Sequence, residues 1–206
     1  MDAVLADINK SDSERRGRQL AYITIIWNSL EGIIAVGAGI MAGSIALVGF
    51  GVDSVIEVSS GAIILWRLAS GEHRERLALR LVGVSFIALA VYVAFDAIKS
   101  LWLRELPETT YIGIGIAALS LVVMPFLAYQ KRKVAAQLSS DAMVADSRQT
   151  DICAYLSAIL LGGLILNAVF GWWWADPLAA LIMVPIIAKE GIDALRGKTC
   201  DDCHCG

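Results

Sequence analysis

From Gly32 to Val52 the chain reads GIIAVGAGIMAGSIALVGFGV, 21 residues without one charge, and the next residue is Asp53. About 20 apolar residues of helix cross the hydrocarbon core of a bilayer. Leu81 to Phe95, Tyr111 to Gln130 and Ile152 to Ala175 are also charge-free. The average is less telling than this distribution: 57% of the 206 residues are hydrophobic, against about half in a soluble chain. A soluble domain would have to bury all of these segments. The pattern therefore argues against a soluble enzyme, a nucleic-acid-binding module or a disordered chain. Helix is favoured over strand because unpaired backbone groups cannot face lipid and the segments do not alternate.

The reading is an all-α integral membrane protein of six transmembrane helices. They are expected at about 19–41, 44–67, 79–103, 111–130, 146–170 and 177–189, with the small-residue turn Ala42-Gly43 between the first two. The sixth is short, with twelve charge-free residues from Pro177 to Ala188. It needs snorkelling by Lys189 or a thin bilayer to cross. Residues 1–18 form a polar N-terminal segment without the features of a secretory signal. Residues 19–195 form the membrane domain, and 196–206 a Cys-rich tail. There is no internal repeat. The four cysteines, three of them in the last seven residues, do not form a disulfide framework.

Orientation follows from 17 basic residues. Fifteen precede helix one, follow helix six, or lie between helices two and three or four and five; only Lys99 and Arg104 fall on the other side. The positive-inside rule places both termini in the cytoplasm and the Trp172-Trp173-Trp174 run in an outer interfacial belt.

Ionisable groups inside a bilayer are costly and mark function. Asp53 and Glu57 are four residues apart and share a helix face. Glu57 lies ten residues from Arg67, roughly 15 Å of helix rise. Glu31 lies thirteen residues past Arg18, roughly 20 Å by the same rise. Asn28 shares the Glu31 face. No Lys or Arg is expected at that depth. Two unpaired carboxylates repel, and one protonates unless a cation joins them. A metal ion, protons, or both in turn would supply the missing charge. Glu31 reads equally as a protonated carboxyl bonded to a neighbouring helix or as a site or proton-path residue. Asp96, near Lys99, reads as interfacial.

On helix five, Asp146, Gln149, Cys153 and Ser157 recur at helical spacing, and Asp151 points away. A thiolate suits zinc, cadmium or copper(I). Taken alone, Cys153 reads as a small buried hydrophobe and Gln149 as a helix–helix hydrogen-bonding residue. Gly49, on the Asp53 face, is expected to bring helices two and five close. The tail reads CDDCHCG. Cys200, Cys203, His204 and Cys205 form a candidate weak or shared metal site with zinc-like C-x-x-C spacing. The bland alternative is an unstructured tail. His73, in a charged loop, is given no role.

The segment SIALVGFGVDSVIE, Ser44 to Glu57, resembles the second-helix motif of the cation diffusion facilitator transporters. There S-x-A-L precedes a His or Asp and, four residues later, an Asp. ADSRQTDIC, Ala145 to Cys153, resembles the family's fifth-helix A-D-x-x-H-x-x-x-D motif. GWWWADPLAALIMVPIIAKEGIDALRG, Gly171 to Gly197, resembles its junction into helix six. The resemblance places the family's metal ligands on Asp53, Glu57, Gln149 and Cys153. Gln stands for the family's His, Cys for its Asp, and Glu for Asp at position 57. Glu31 is the residue placed to supply the lost ligand, an inference from depth and not a family feature. The family's cytoplasmic ferredoxin-like domain is expected to be absent after helix six.

The resemblance implies a non-enzymatic, multi-pass protein of the cell (inner or plasma) membrane, acting as a homodimer without nucleic acid. Its partners would be the lipid bilayer, metal ions and protons. It implies efflux of a divalent transition metal by proton antiport with alternating access. Zinc is the first expectation, with cadmium, cobalt, iron or manganese as others. The alternatives are a membrane metal sensor or partner subunit without transport, and a proton-coupled transporter of an organic cation.

Overall fold

The computed structural model describes residues 2–70, 75–104, 108, 110–138 and 141–196. They form six α-helices in chain order: α1 Asp2–Ala42, α2 Ile45–Ser70, α3 Glu75–Leu103, α4 Tyr111–Leu138, α5 Asp141–Phe170 and α6 Ala175–Arg196. No strand occurs among the described residues. The helices outrun the expected spans, most of all α1, which has 41 residues. The expected spans bound the lipid-compatible sequence; α1, α3, α5 and α6 start earlier and α2, α4 and α6 end later, because polar residues continue a helix readily in water.

Stretches of α1 to α5 are long and apolar enough to cross a membrane. The sixth helix, with 22 residues, is long enough at 1.5 Å per residue but is not among those five. Charges return at Lys189, Glu190 and Asp193 and dilute it. Large side chains point outward as lipid contact demands: Ile33 is 74% exposed, Met41 85% and Trp102 85%. Pro125 and Pro185 sit inside α4 and α6 with their rings outward.

The pairs α1 with α2, α4 with α5, and α3 with α6 pack most extensively. Glycine makes the first pair possible. A Cβ added at Gly51 would fall 2.8 Å from the Val36 backbone nitrogen, and one at Gly32 would fall 3.1 Å from the Gly51 carbonyl oxygen. Small residues let membrane helices approach in this way. Gly49 does not bring α2 to α5 as expected. A Cβ there would meet Val93 of α3 at 3.0 Å, so the close approach it allows is to α3. The main apolar core runs through Phe50, Val93, Met124, Leu156, Leu160 and Met183.

The two ends of the bundle are closed differently. At one end Ser13 of α1 donates to Gln137 of α4 at 2.9 Å, and Gly17 lies against Met143 of α5. At the other end Gly43 turns the chain from α1 into α2 with φ +65°, a conformation glycine adopts without strain. There the Asp176 carboxylate, in the first turn of α6, caps α2 across the bundle. It accepts from Ser44 Oγ at 2.5 Å, Ile45 N at 3.0 Å and Ala46 N at 3.4 Å. Ser44 Oγ in turn accepts from Leu47 N at 3.2 Å. Both residues belong to the quoted motifs, and their work here is structural: they satisfy the orphan donors of a helix N-terminus. Beside them Trp172 stacks on Trp174 with ring centroids 5.0 Å apart, both partly exposed.

Candidate cation site

The i, i+4 spacing on α2 does what helical geometry requires. Asp53 and Glu57 both point into the bundle and are almost fully buried. Cys153 of α5 is completely buried as a free thiol, close enough to both carboxylates to feel their charge. Two segments of the chain about 100 residues apart thus meet in one place. Asp146 and Ser157 are buried on the same face of α5.

The expectation that no basic residue lies at this depth is not met. Lys131 is 1% exposed, and its Nζ lies 2.8 Å from Asp146 Oδ2 and 3.8 Å from Glu57 Oε1. Nζ also donates to Thr150 Oγ1 at 2.9 Å. Thr150 Oγ1 has two acceptors in reach: Glu57 Oε1 at 2.5 Å and the Asp146 backbone carbonyl at 3.1 Å. Asp146 Oδ1 accepts from Ser60 at 3.1 Å. Lys131 falls outside the expected fourth span because it opens the run Lys131-Arg132-Lys133, which reads as an inner loop. Instead α4 continues to Leu138, and Lys131 extends its buried stripe of Ala117, Ser120, Met124, Leu127 and Ala128. That 3–4 spacing was the available signal.

Asp53 has no such partner. The charged groups acting on it are all acids: Glu57, Glu31 and Glu190. Glu31 is also fully buried, and both its oxygens lack a hydrogen-bond partner. Ser120 and Trp27 are its polar neighbours, and Glu57 acts on it electrostatically. Asn28 is buried beside it and donates to the Thr24 carbonyl at 3.0 Å, leaving its own Oδ1 unpartnered. Gln149 is half-buried with its amide nitrogen unpartnered, and no described hydrogen bond joins it to Asp53, Glu57 or Cys153. Among the described residues no three His, Cys, Asp or Glu side chains are drawn together closely enough to hold an ion. Glu57 is turned to Thr150 and Lys131 instead.

Asp151 points away as expected and pairs with Arg132. Asp96 is partly exposed, with the Tyr92 hydroxyl at 3.5 Å. A cleft of about 550 Å³ opens between α5 and α6, lined by Arg148, Asp151, Tyr155, Lys189, Glu190 and Asp193 among others. Cys200, Cys203, His204, Cys205 and His73 lie outside the described residues.

Residues 21–198 match the sequence profile of the cation efflux transmembrane domain. The chain belongs to the cation efflux family. It is therefore an all-α, multi-pass membrane protein. It is 26% identical over 182 residues to transmembrane protein 163 of Xenopus laevis, covering 85% of this chain and 65% of that one. It is 28% identical over 183 residues to an uncharacterized transporter of Methanocaldococcus jannaschii, covering 83% of this chain and 64% of the relative. A shorter match, 28% over 86 residues, joins it to the cation-efflux pump FieF of Shewanella oneidensis, over 42% of this chain and 29% of the pump. The chain thus spans less than two thirds of the length of these relatives.

Proposed function

We propose that this cation efflux protein is a transporter, not an enzyme, and moves a divalent transition metal out of the cytoplasm in exchange for protons. The observation that carries this reading is a charge imbalance. Glu31, Asp53, Glu57 and Asp146 are buried in one region, and Lys131 is the one described base among them. Buried charge without compensation is expensive. A divalent cation offsets what Lys131 leaves, and protons offset it when the ion departs. Asp53, Glu57 and Cys153 are the ligands, with Gln149 and Glu31 beside them. Glu57 must swing away from Thr150 to complete the set.

Coupling follows from the donors themselves. Carboxylates and thiols shed protons when they bind metal, so a proton-rich face favours release and a proton-poor face favours capture. The soft thiol beside two hard carboxylates favours zinc, with cadmium, cobalt, iron and manganese as competitors. The cleft between α5 and α6, with Asp151, Glu190 and Asp193 on its walls, is the approach from the cytoplasm. The termini face that side, the protein resides in the cell membrane and it works as a homodimer.

Purified protein in proteoliposomes under an imposed proton gradient tests this. Zinc, cadmium, cobalt, manganese and iron are offered in turn. Asp53→Ala is expected to cut flux at least about a hundredfold, since it removes a ligand and the acid without a basic partner. Binding without flux would instead identify a sensor or partner subunit. Absence of any metal binding would leave an organic cation as the substrate.

A further inference from the structure

Lys131 is not an ordinary buried ion-pair partner, because its two acids hold it unequally. Asp146 takes it at 2.8 Å and is itself braced by Ser60; Glu57 takes it at only 3.8 Å. Glu57 Oε2 has no partner at all. Thr150 stands between them and carries a single hydroxyl hydrogen. That hydrogen serves either Glu57 at 2.5 Å or the Asp146 backbone carbonyl at 3.1 Å. The network therefore has two complete arrangements. In one, Lys131 and Thr150 hold Glu57. In the other, Glu57 leaves, Thr150 turns its hydrogen to the carbonyl one helical turn back, and Lys131 stays with Asp146. Each hydrogen bond that Lys131 and Thr150 donate in the first arrangement is kept or replaced in the second, and this is the condition for a polar network to switch cheaply.

We propose that Lys131 is a tethered competitor for the transported cation: its ammonium holds Glu57 while no divalent ion is bound and yields it, retaining Asp146, when an ion binds at Asp53. This rests on Asp53 and Glu57 being the ion's ligands. The ammonium carries one charge and a divalent ion two, so the ion wins Glu57 when present. The permanent rival keeps its grip weak enough for release. Lys131 thereby sets affinity without touching the ion.

The test is a double-mutant cycle in the purified full chain, with zinc and cobalt binding read by calorimetry and folding checked by thermal melting. Lys131→Gln is expected to tighten zinc binding about tenfold when Glu57 is present, and less than about twofold in the Glu57→Gln background, a coupling within the usual range for contacting residues. Lys131→Arg keeps affinity near that of the unaltered protein. An equal gain in both backgrounds overturns the proposal, since Lys131 would then act as a general field. No gain in either background overturns it as well. If Lys131→Gln does not fold, Asp146→Asn takes its place. It leaves the ammonium with Glu57 alone and is expected to weaken zinc binding about tenfold, an effect lost in Glu57→Gln; unchanged binding refutes the competitor. Failure of the unaltered protein to bind any metal overturns the transport reading itself, which is a separate result.

Discussion

Asp176 and Asp53 are both buried aspartates held between helices, and the bundle treats them in opposite ways. Asp176 receives three donors from the start of α2. Asp53, nine residues along α2 from Ser44, receives no base, and the charges around it are acids. A buried acid that is fully satisfied holds a fold together. A buried acid left without a compensating charge costs stability, and a protein retains it for a ligand that comes and goes. The contrast sorts the polar interior into a clamp at one end and a site in the middle.

The sharpest way to break that division is at the clamp. Asp176→Ala strands the Ser44 hydroxyl and two backbone N–H groups together. It is expected to cost about 3 kcal/mol of stability or more, since each stranded donor costs about 1–3 kcal/mol. Asp176→Asn keeps one acceptor and is expected to lose about half as much. Thermal unfolding in detergent measures both. Metal affinity per folded molecule should stay within about twofold of the parent. A large loss of affinity with normal stability would place Asp176 in the site and erase the distinction.

Cys153 sharpens the same comparison from the site's side. Exchanging its soft sulfur for a hard oxygen in Cys153→Ser should weaken zinc and cadmium binding about tenfold and leave manganese nearly unchanged. Competition titration with the three ions reads this directly. If selectivity does not move, Cys153 is a buried hydrophobe and α5 contributes no sulfur ligand.

The sequence made some of this legible and hid the rest for identifiable reasons. Charge-free runs and glycine turns mark where the helices lie, and the acids of α2 stand out because nothing else in that stretch is charged. Gly49 shows the limit of a helical wheel: it says which residues share a face but not which neighbour the face meets, and the neighbour is α3. Lys131 was concealed by Arg132 and Lys133, since a basic run at the end of an apolar segment reads as a solvated loop. Only the continued 3–4 spacing through Lys131, Val134 and Ala135 separates this buried lysine from its exposed companions in the run. Thr150 was passed over because a lone hydroxyl carries no signal until a lysine and a carboxylate are found on either side of it.

Glu31 belongs with Asp53 by the same criterion, and its substitution separates stability from function. Both carboxyl oxygens are buried without partners. Replacing an unsatisfied buried polar group by an apolar one of similar shape is neutral to stabilising. Glu31→Met is therefore expected to raise stability by about 1 kcal/mol while slowing metal flux. A drop in stability would mean that Ser120 or Trp27 bonds it firmly and that Glu31 belongs to the clamp's class.

The smallest effect is expected one residue along from Lys131. Lys131 and Arg132 are neighbours on α4, and their partners Thr150 and Asp151 are neighbours on α5, so the same two helices carry two charged contacts side by side. One is buried. The other is open: Arg132 is 50% exposed and Asp151 26%. Solvent screens an exposed pair and offers each charge a substitute, which limits such pairs to about 0–1 kcal/mol. Asp151→Asn should therefore change stability by less than about 0.5 kcal/mol, and added salt should erase even that. Zinc affinity should stay within about twofold, because the carboxylate faces the cleft and not the ligands. A loss of transport rate at unchanged affinity would give Asp151 a role in guiding ions through the cleft, and the loss would shrink as ionic strength rises. The two contacts would then differ in the step they govern, the buried one acting on binding and the exposed one on arrival.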